Sequence, residues 1–244
     1  MKFVSSLLIL LITPAAFSFT VAIDPGHGGS ERGASHNKIE ESKINMIFSK
    51  ALQSERKKKN IKSFLTRTED VTTSLESRMN MVNSRSADLF ISVHANSHSS
   101  PGINGLEIYF QNELPPDKRS LFLAHQEHLN KEDTVDWPLL KPKNIKELEP
   151  EVLSILQDLQ RTHQVTNNSK FGVLMYKTFK KETDIKVSLR QAPLYVVRNT
   201  QCPSILIELG YLTNKKEVAK LLSSSYQKTI VQTITKAITS YKNN

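Results

Sequence analysis

The chain has 244 residues, with 33 Lys and Arg against 24 Asp and Glu, a formal charge of +9, and a single cysteine, Cys202. One cysteine excludes an intramolecular disulfide framework and a cysteine-built zinc site. The positive balance favours anionic partners, but no aromatic-basic motif of a nucleic-acid-binding module is present, so cell-wall polymer or lipid headgroups fit better.

The N-terminus reads MKFVSSLLILLITPAAFSFT. Lys2 supplies a positive start, Phe3 to Ile12 an apolar stretch, and Ala16-Phe17-Ser18 a small-x-small cleavage pattern, so residues 1–18 are expected to be a secretory signal peptide. The run is short for a bilayer span. The expected location is outside the cytoplasm, with a periplasmic home favoured because no wall-binding repeat is visible. Residues 19–244 fit one large domain.

Thr20 to Asp24 is predicted as a buried strand, closed by Pro25-Gly26 and Gly28-Gly29. Ile44, Ile47, Phe48, Ala51 and Leu52 form a helical stripe over 41–52, with Glu41 at its head. Ile61 to Thr66 is a second strand, and Ser74 is a candidate N-cap for a helix burying Leu75, Met79 and Val82. Leu89 to Val93 is a continuous apolar strand of the parallel kind, and Gly105 to Phe110 another. Residues 111–150 lose apolar content and gain prolines, which predicts a rim insertion with one helix near 117–131. Helical spacing returns over 151–180. Leu194 to Val197 and Ile205 to Glu208 are predicted strands, and Ile230, Ile234, Ala237, Ile238 and Tyr241 share one face of a C-terminal helix.

Strands alternating with helices predict an α/β domain with a mainly parallel twisted sheet covered on both faces. Ligands in such sheets bind beyond the carboxyl ends of the strands. His27 follows the first strand, His94 closes Leu89–Val93, Glu208 closes Ile205–Ile207, and the helix carrying Glu41 starts at the same edge. Two histidines and one carboxylate suit a zinc ion with an open position for water, leaving a second carboxylate as general base. Glu40 is the rival to Glu41, and Asp24 either orients His27 or stabilises its turn. No G-x-S-x-G elbow supports a serine nucleophile, and the HANSH segment leaves a strand, so helical HExxH geometry is absent.

In this order, DPGHGG with Gly33-Ala34, EESKIN, LTRTEDVTTSLESRMNMVN, ADLFISVHANS and ILIELGYLTN closely resemble the motifs of the zinc-dependent N-acetylmuramoyl-L-alanine amidases of the Amidase_3 class. The resemblance covers nearly all of residues 19–244, and departs from the family at Ser42, where Lys is usual. It implies one zinc ion on His27, Glu41 and His94, and Glu208 as the catalytic carboxylate. The implied substrate is the peptidoglycan amide between N-acetylmuramic acid and L-alanine.

In related amidases of the cell-division type, an inserted helix can block the active site. RSLFLAHQEHLNKED resembles that segment, which makes 111–150 a candidate regulator and Glu127 a candidate contact for the zinc region. A monomer is expected, with peptidoglycan and a protein activator or recruiter as partners. The rival functions are a related zinc peptidase acting on another peptidoglycan bond, and a non-catalytic wall-binding or activator protein.

Overall fold

Residues 19–111, 117–127 and 150–243 are described by a computed structural model. The expected signal peptide, residue 111 apart most of the expected insertion (112–116 and 128–149), and residue 244 lie outside them. In chain order come β1 (Thr20–Pro25), β2 (Ser35–His36), β3 (Ile39–Glu40), α1 (Glu41–Lys58), β4 (Lys62–Leu65), α2 (Leu75–Ser84), β5 (Leu89–Asn96) and β6 (Leu106–Phe110). Then follow α3 (Lys118–Glu127), α4 (Pro150–Glu182), β7 (Val187–Gln191), α5 (Tyr195–Arg198), β8 (Ser204–Tyr211), α6 (Lys215–Leu221) and α7 (Ser224–Lys242).

Six strands form one sheet in the order β4-β1-β5-β8-β6-β7, and β2 pairs with β3 in a small ribbon. β4, β1, β5 and β8 run parallel; β6 is antiparallel to β8 and parallel to β7. The carboxyl ends of β1, β5 and β8 therefore share one edge.

Strand period decides which helices each residue meets. Val21, Ile23, Ile91, Val93, Ile205 and Ile207 face one layer, where Ile44, Phe48 and Leu52 of α1, Phe171 and Met175 of α4, and Ile234 and Ile238 of α7 pack. Ala22, Phe90 and Leu206 face the other, against Met79 and Val82 of α2, Leu123 and Ala124 of α3, and Val196 and Val197 of α5. A sheet covered on both sides needs apolar residues on both faces, which is why LFISV and ILI are continuous runs. Ser74 caps α2 as its position predicts, its side chain accepting from the Ser77 N–H at 3.1 Å.

Several boundaries differ from the sequence expectation. The predicted strand Leu194–Val197 is the one-turn helix α5, with Leu194 as its N-cap residue. A four-residue apolar run does not distinguish strand from buried helix, and here Pro193 directly precedes it. β7, unpredicted, is an edge strand whose polar residues break the apolar run used to find strands. His94 and Glu208 lie inside β5 and β8 and do not terminate them. Ile47 points away from the core at 43 % exposure.

Val152, Ile155, Leu156 and Leu159 of α4 are also exposed. A helix of 33 residues extends about 50 Å, more than these strands can cover, so its first turns overhang the sheet. Among the described residues, no helix is long and apolar enough to cross a membrane.

Candidate metal centre and active site

The loop after β1 carries His27 in a left-handed conformation, φ +57°. A non-glycine residue there is held by its surroundings rather than by preference. Glu41 opens α1, whose backbone is docked on that loop: the Glu41 N–H donates to the Ala34 carbonyl and the Ser42 N–H to the Arg32 carbonyl. His94 sits on β5, in register with Glu208 on β8.

These placements gather one ligand atom each from His27, Glu41, His94 and Glu127 within 4.8 Å of one another. His27 Nε2 lies 3.3 Å from Glu41 Oε2, and His94 Nδ1 lies 2.9 Å from Glu41 Oε1. The remaining capacity of Glu41 is used locally. Oε2 accepts from the Ala34 N–H, and Oε1 from the Ala95 N–H and the Asn45 amide.

Burial alone would raise the Glu41 pKa. The charge of His27 close by and the hydrogen bond with His94 outweigh it and hold the carboxyl well below the usual range. Burial likewise disfavours charge on His27, but Glu41 and Glu127 raise its pKa to about 9. The donor set therefore fits a divalent cation. Two imidazole nitrogens and an ionised carboxylate converge in a buried pocket, and His27 Nε2 is buried without a hydrogen-bond partner among the described residues. Glu40, the rival carboxylate, is outside this cluster and pairs with Arg32 and Lys43.

Glu208 lines the same cavity of about 690 Å³, together with Leu75, Ser97, Leu194, Tyr195 and Val196. It is 1 % exposed, and its Oε2 has no hydrogen-bond partner among the described residues. Burial pushes its pKa well up, and the charges of Glu41, Glu127 and Glu107 add to this. A carboxylate of raised basicity, beside a cation site and facing a cavity, is suited to take and return a proton.

Glu127, at the end of α3, reaches into the cluster. Its Oε2 is 3.6 Å from His27 Nε2 and 3.4 Å from His94 Nδ1. At the other end of α3, Arg119 lies 3.3 Å from Glu107 and donates to the Tyr211 hydroxyl, while Asp117 pairs with Arg190.

Asp24 does not touch the His27 ring. Its carboxylate accepts from Thr66, Ser92 and Arg78, and Arg78 in turn donates to the carbonyls of Pro25 and His27. Arg78, given no role from sequence, thus lines the cavity, and Arg67, likewise unassigned, is buried behind the same loop with donors on the Pro25 and Gly26 carbonyls. The only sequence signal for them was their place in the LTRTED…LESRMN stretch, since spacing alone does not foretell a contact with a loop forty residues away.

Gly33 explains itself by geometry. Its φ is +66°, and an added Cβ would stand 2.5 Å from Glu41 Oε2 and 2.6 Å from His27 Cδ2. Gly33→Ala is expected to lower stability by more than about 1 kcal/mol and to weaken metal binding. Thermal melts with and without added zinc check both; an unchanged zinc-induced shift would refute the second effect.

Residues 21–240 match the family described as N-acetylmuramoyl-L-alanine amidase, Amidase_3. The chain is 31 % identical over 231 residues to the probable N-acetylmuramoyl-L-alanine amidase AmiB of Haemophilus influenzae, covering 93 % of this chain and 52 % of that protein. It is 27 % identical over 224 residues to the amidase AmiA of Salmonella typhimurium, covering 91 % and 75 %. It spans about half the length of AmiB and of the Neisseria meningitidis amidase AmiC, 52 % in each case. Among solved structures, the catalytic domain of the amidase CwlV from Bacillus (Paenibacillus) polymyxa aligns with a TM-score of 0.67 at 25 % identity, over 92 % of this chain and 98 % of that one. The fold, the clustered site and the family match agree, and the chain belongs to the N-acetylmuramoyl-L-alanine amidase family Amidase_3.

Proposed function

We propose that this protein is a zinc-dependent peptidoglycan hydrolase that cleaves the amide joining N-acetylmuramic acid to L-alanine of the stem peptide. The observation that carries the reading is the convergence of His27, Glu41 and His94 around one point, with the basic, buried carboxylate of Glu208 in the same cavity. The names of the relatives support the choice of bond.

His27, Glu41 and His94 would hold the ion. When bound, zinc supplies a Lewis acid that polarises a carbonyl and lowers the pKa of a water towards about 7. Glu208 accepts the proton of the attacking water. It then returns that proton to the departing alanine nitrogen, so the leaving group departs as a neutral amine. Asn45 and the Ala34 and Ala95 N–H groups keep Glu41 oriented while this happens.

A second part of the reading concerns access. α3 lies over the cavity and presents Glu127 where a substrate oxygen would otherwise approach the ion. The helix acts as a plug, and a protein activator would displace it. The expected secretory signal and the cell-wall substrate support a periplasmic location.

Digestion of purified sacculi tests the whole reading. Zinc-dependent release of intact stem peptides from uncleaved glycan, abolished by chelator, is the expected result. Release of other peptide fragments would assign a different bond. Co-sedimentation with sacculi without any release, even with α3 displaced, would make the protein a wall-binding module.

A further inference from the structure

Two buried arginines, Arg67 and Arg78, have no part in the chemical steps described above. Arg67 is 4 % exposed and Arg78 is 1 % exposed. A buried guanidinium is costly unless its donors are satisfied. Arg78 has an obvious reason to be there, its pair with Asp24 at 2.6 Å. Arg67 has none of that kind. Among the described residues, its hydrogen bonds all go to backbone carbonyls: Nε to Pro25 at 2.9 Å, Nη1 to Glu69 at 3.0 Å, and Nη2 to both Gly26 and Ser42 at 3.0 Å.

The choice of carbonyls is informative. Gly26 immediately precedes His27, and Ser42 immediately follows Glu41. One nitrogen of Arg67 therefore ties the loop that carries one candidate ligand to the first turn of the helix that carries another. Arg78 completes the hold, with Nη1 on the Pro25 carbonyl at 2.8 Å and Nη2 on the His27 carbonyl at 2.7 Å. Three successive carbonyls, Pro25 to His27, thus accept from two rigid guanidinium forks. The residue at the end of that run is the one with φ +57°. The loop also runs close against Arg67: a Cβ on Gly28 would lie 2.8 Å from its Nε.

We propose that Arg67 and Arg78 are positioning residues for the metal centre. They hold His27 in its left-handed conformation and fix the His27–Glu41 separation, and so set how tightly the site binds its ion. A planar fork with donors in fixed directions can span two chain segments, whereas an ammonium is a point charge that reaches one. Outer contacts of this kind change metal affinity by about 10–100-fold when removed.

The inference rests on His27, Glu41 and His94 being the metal ligands, and its test separates the two. Zinc affinity of the purified protein is measured by competition with a chromogenic chelator, which needs no turnover. Wild type is compared with Arg67→Lys, Arg67→Met and Arg78→Lys. The matched control is Asn168→Ala, which removes the acceptor of the buried Ser204 N–H at 2.8 Å on α4, remote from the loop. Folding of each is followed by circular dichroism.

The expected result is zinc binding weakened about 10–100-fold in the arginine variants and unchanged in Asn168→Ala, whatever the shifts in Tm. Arginine variants that bind zinc as tightly as wild type would overturn the proposal. So would an equal loss of affinity in Asn168→Ala, since that would trace the effect to global stability. Failure of both Arg67 variants to fold would make Arg67 a support of the fold rather than of the site, and counts against the proposal. A wild type that binds no zinc would overturn the metal reading itself.

Discussion

Glu208→Gln is expected to lose about 10²–10⁴-fold in turnover, the span supplied by a positioned acid–base group, while binding zinc as wild type does. Glutamine keeps the size and the polarity of the side chain but can neither accept the water proton nor return it. The same substitution carries a pH signature in the metal-free protein. Glu208 has a folded-state pKa raised well above 4.5 by burial and by the charges of Glu41, Glu127 and Glu107. The native state therefore holds a proton that the unfolded chain has released, and stability from this group is present below about pH 4.5 and drains away as pH rises towards the folded value. Glu208→Gln removes that loss. Thermal melts of metal-free wild type and variant across pH 4 to 8 should diverge, the variant retaining more of its stability at the upper end. Unimpaired sacculus digestion by Glu208→Gln would remove Glu208 from the mechanism. Parallel melts would mean that its carboxyl is not held protonated by its surroundings.

The parts of this candidate site legible in the sequence were those fixed by sheet topology and motif order. His27, His94 and Glu208 belong to three apolar runs whose parallel pairing puts their carboxyl ends at one edge, so their meeting follows from topology. Glu41 was legible as the first residue of an apolar-striped helix; that it, and not Glu40, joins the cluster depends on Glu40 pairing with Arg32 and Lys43, contacts that residue spacing does not foretell. The hold exerted by Arg67 and Arg78 was illegible for a physical reason. It consists of side-chain donors on backbone carbonyls of a loop distant in sequence, and backbone acceptors leave no mark on residue type. β7 was missed and α5 misread because local apolar pattern is a weak guide at a sheet edge and in a single turn. Strand and helix there are decided by what they pack against, Val196 and Val197 entering the second core layer in a helical turn.

Displacing α3 should activate the enzyme, and the size of the effect depends on which anchor is removed. Leu123 and Ala124 are each 4 % exposed and pack into the second core layer. Burying a leucine contributes about 1.5–3 kcal/mol, and forcing a lysine into that place costs more. The polar anchors are weaker. Asp117 is 56 % exposed in its pair with Arg190, and exposed pairs contribute about 0–1 kcal/mol. Each 1.4 kcal/mol shifts the docked-to-displaced ratio about tenfold. Leu123→Lys should therefore raise activator-free sacculus digestion about 10–100-fold, whereas Asp117→Asn should change it by less than about tenfold. Glu127→Gln falls between them, because it withdraws the carboxylate from His27 and His94 but leaves the helix body over the cavity. A folded, zinc-loaded Leu123→Lys variant that digests sacculi no faster than wild type would show that α3 covers the cavity without closing it, and that turnover is limited elsewhere.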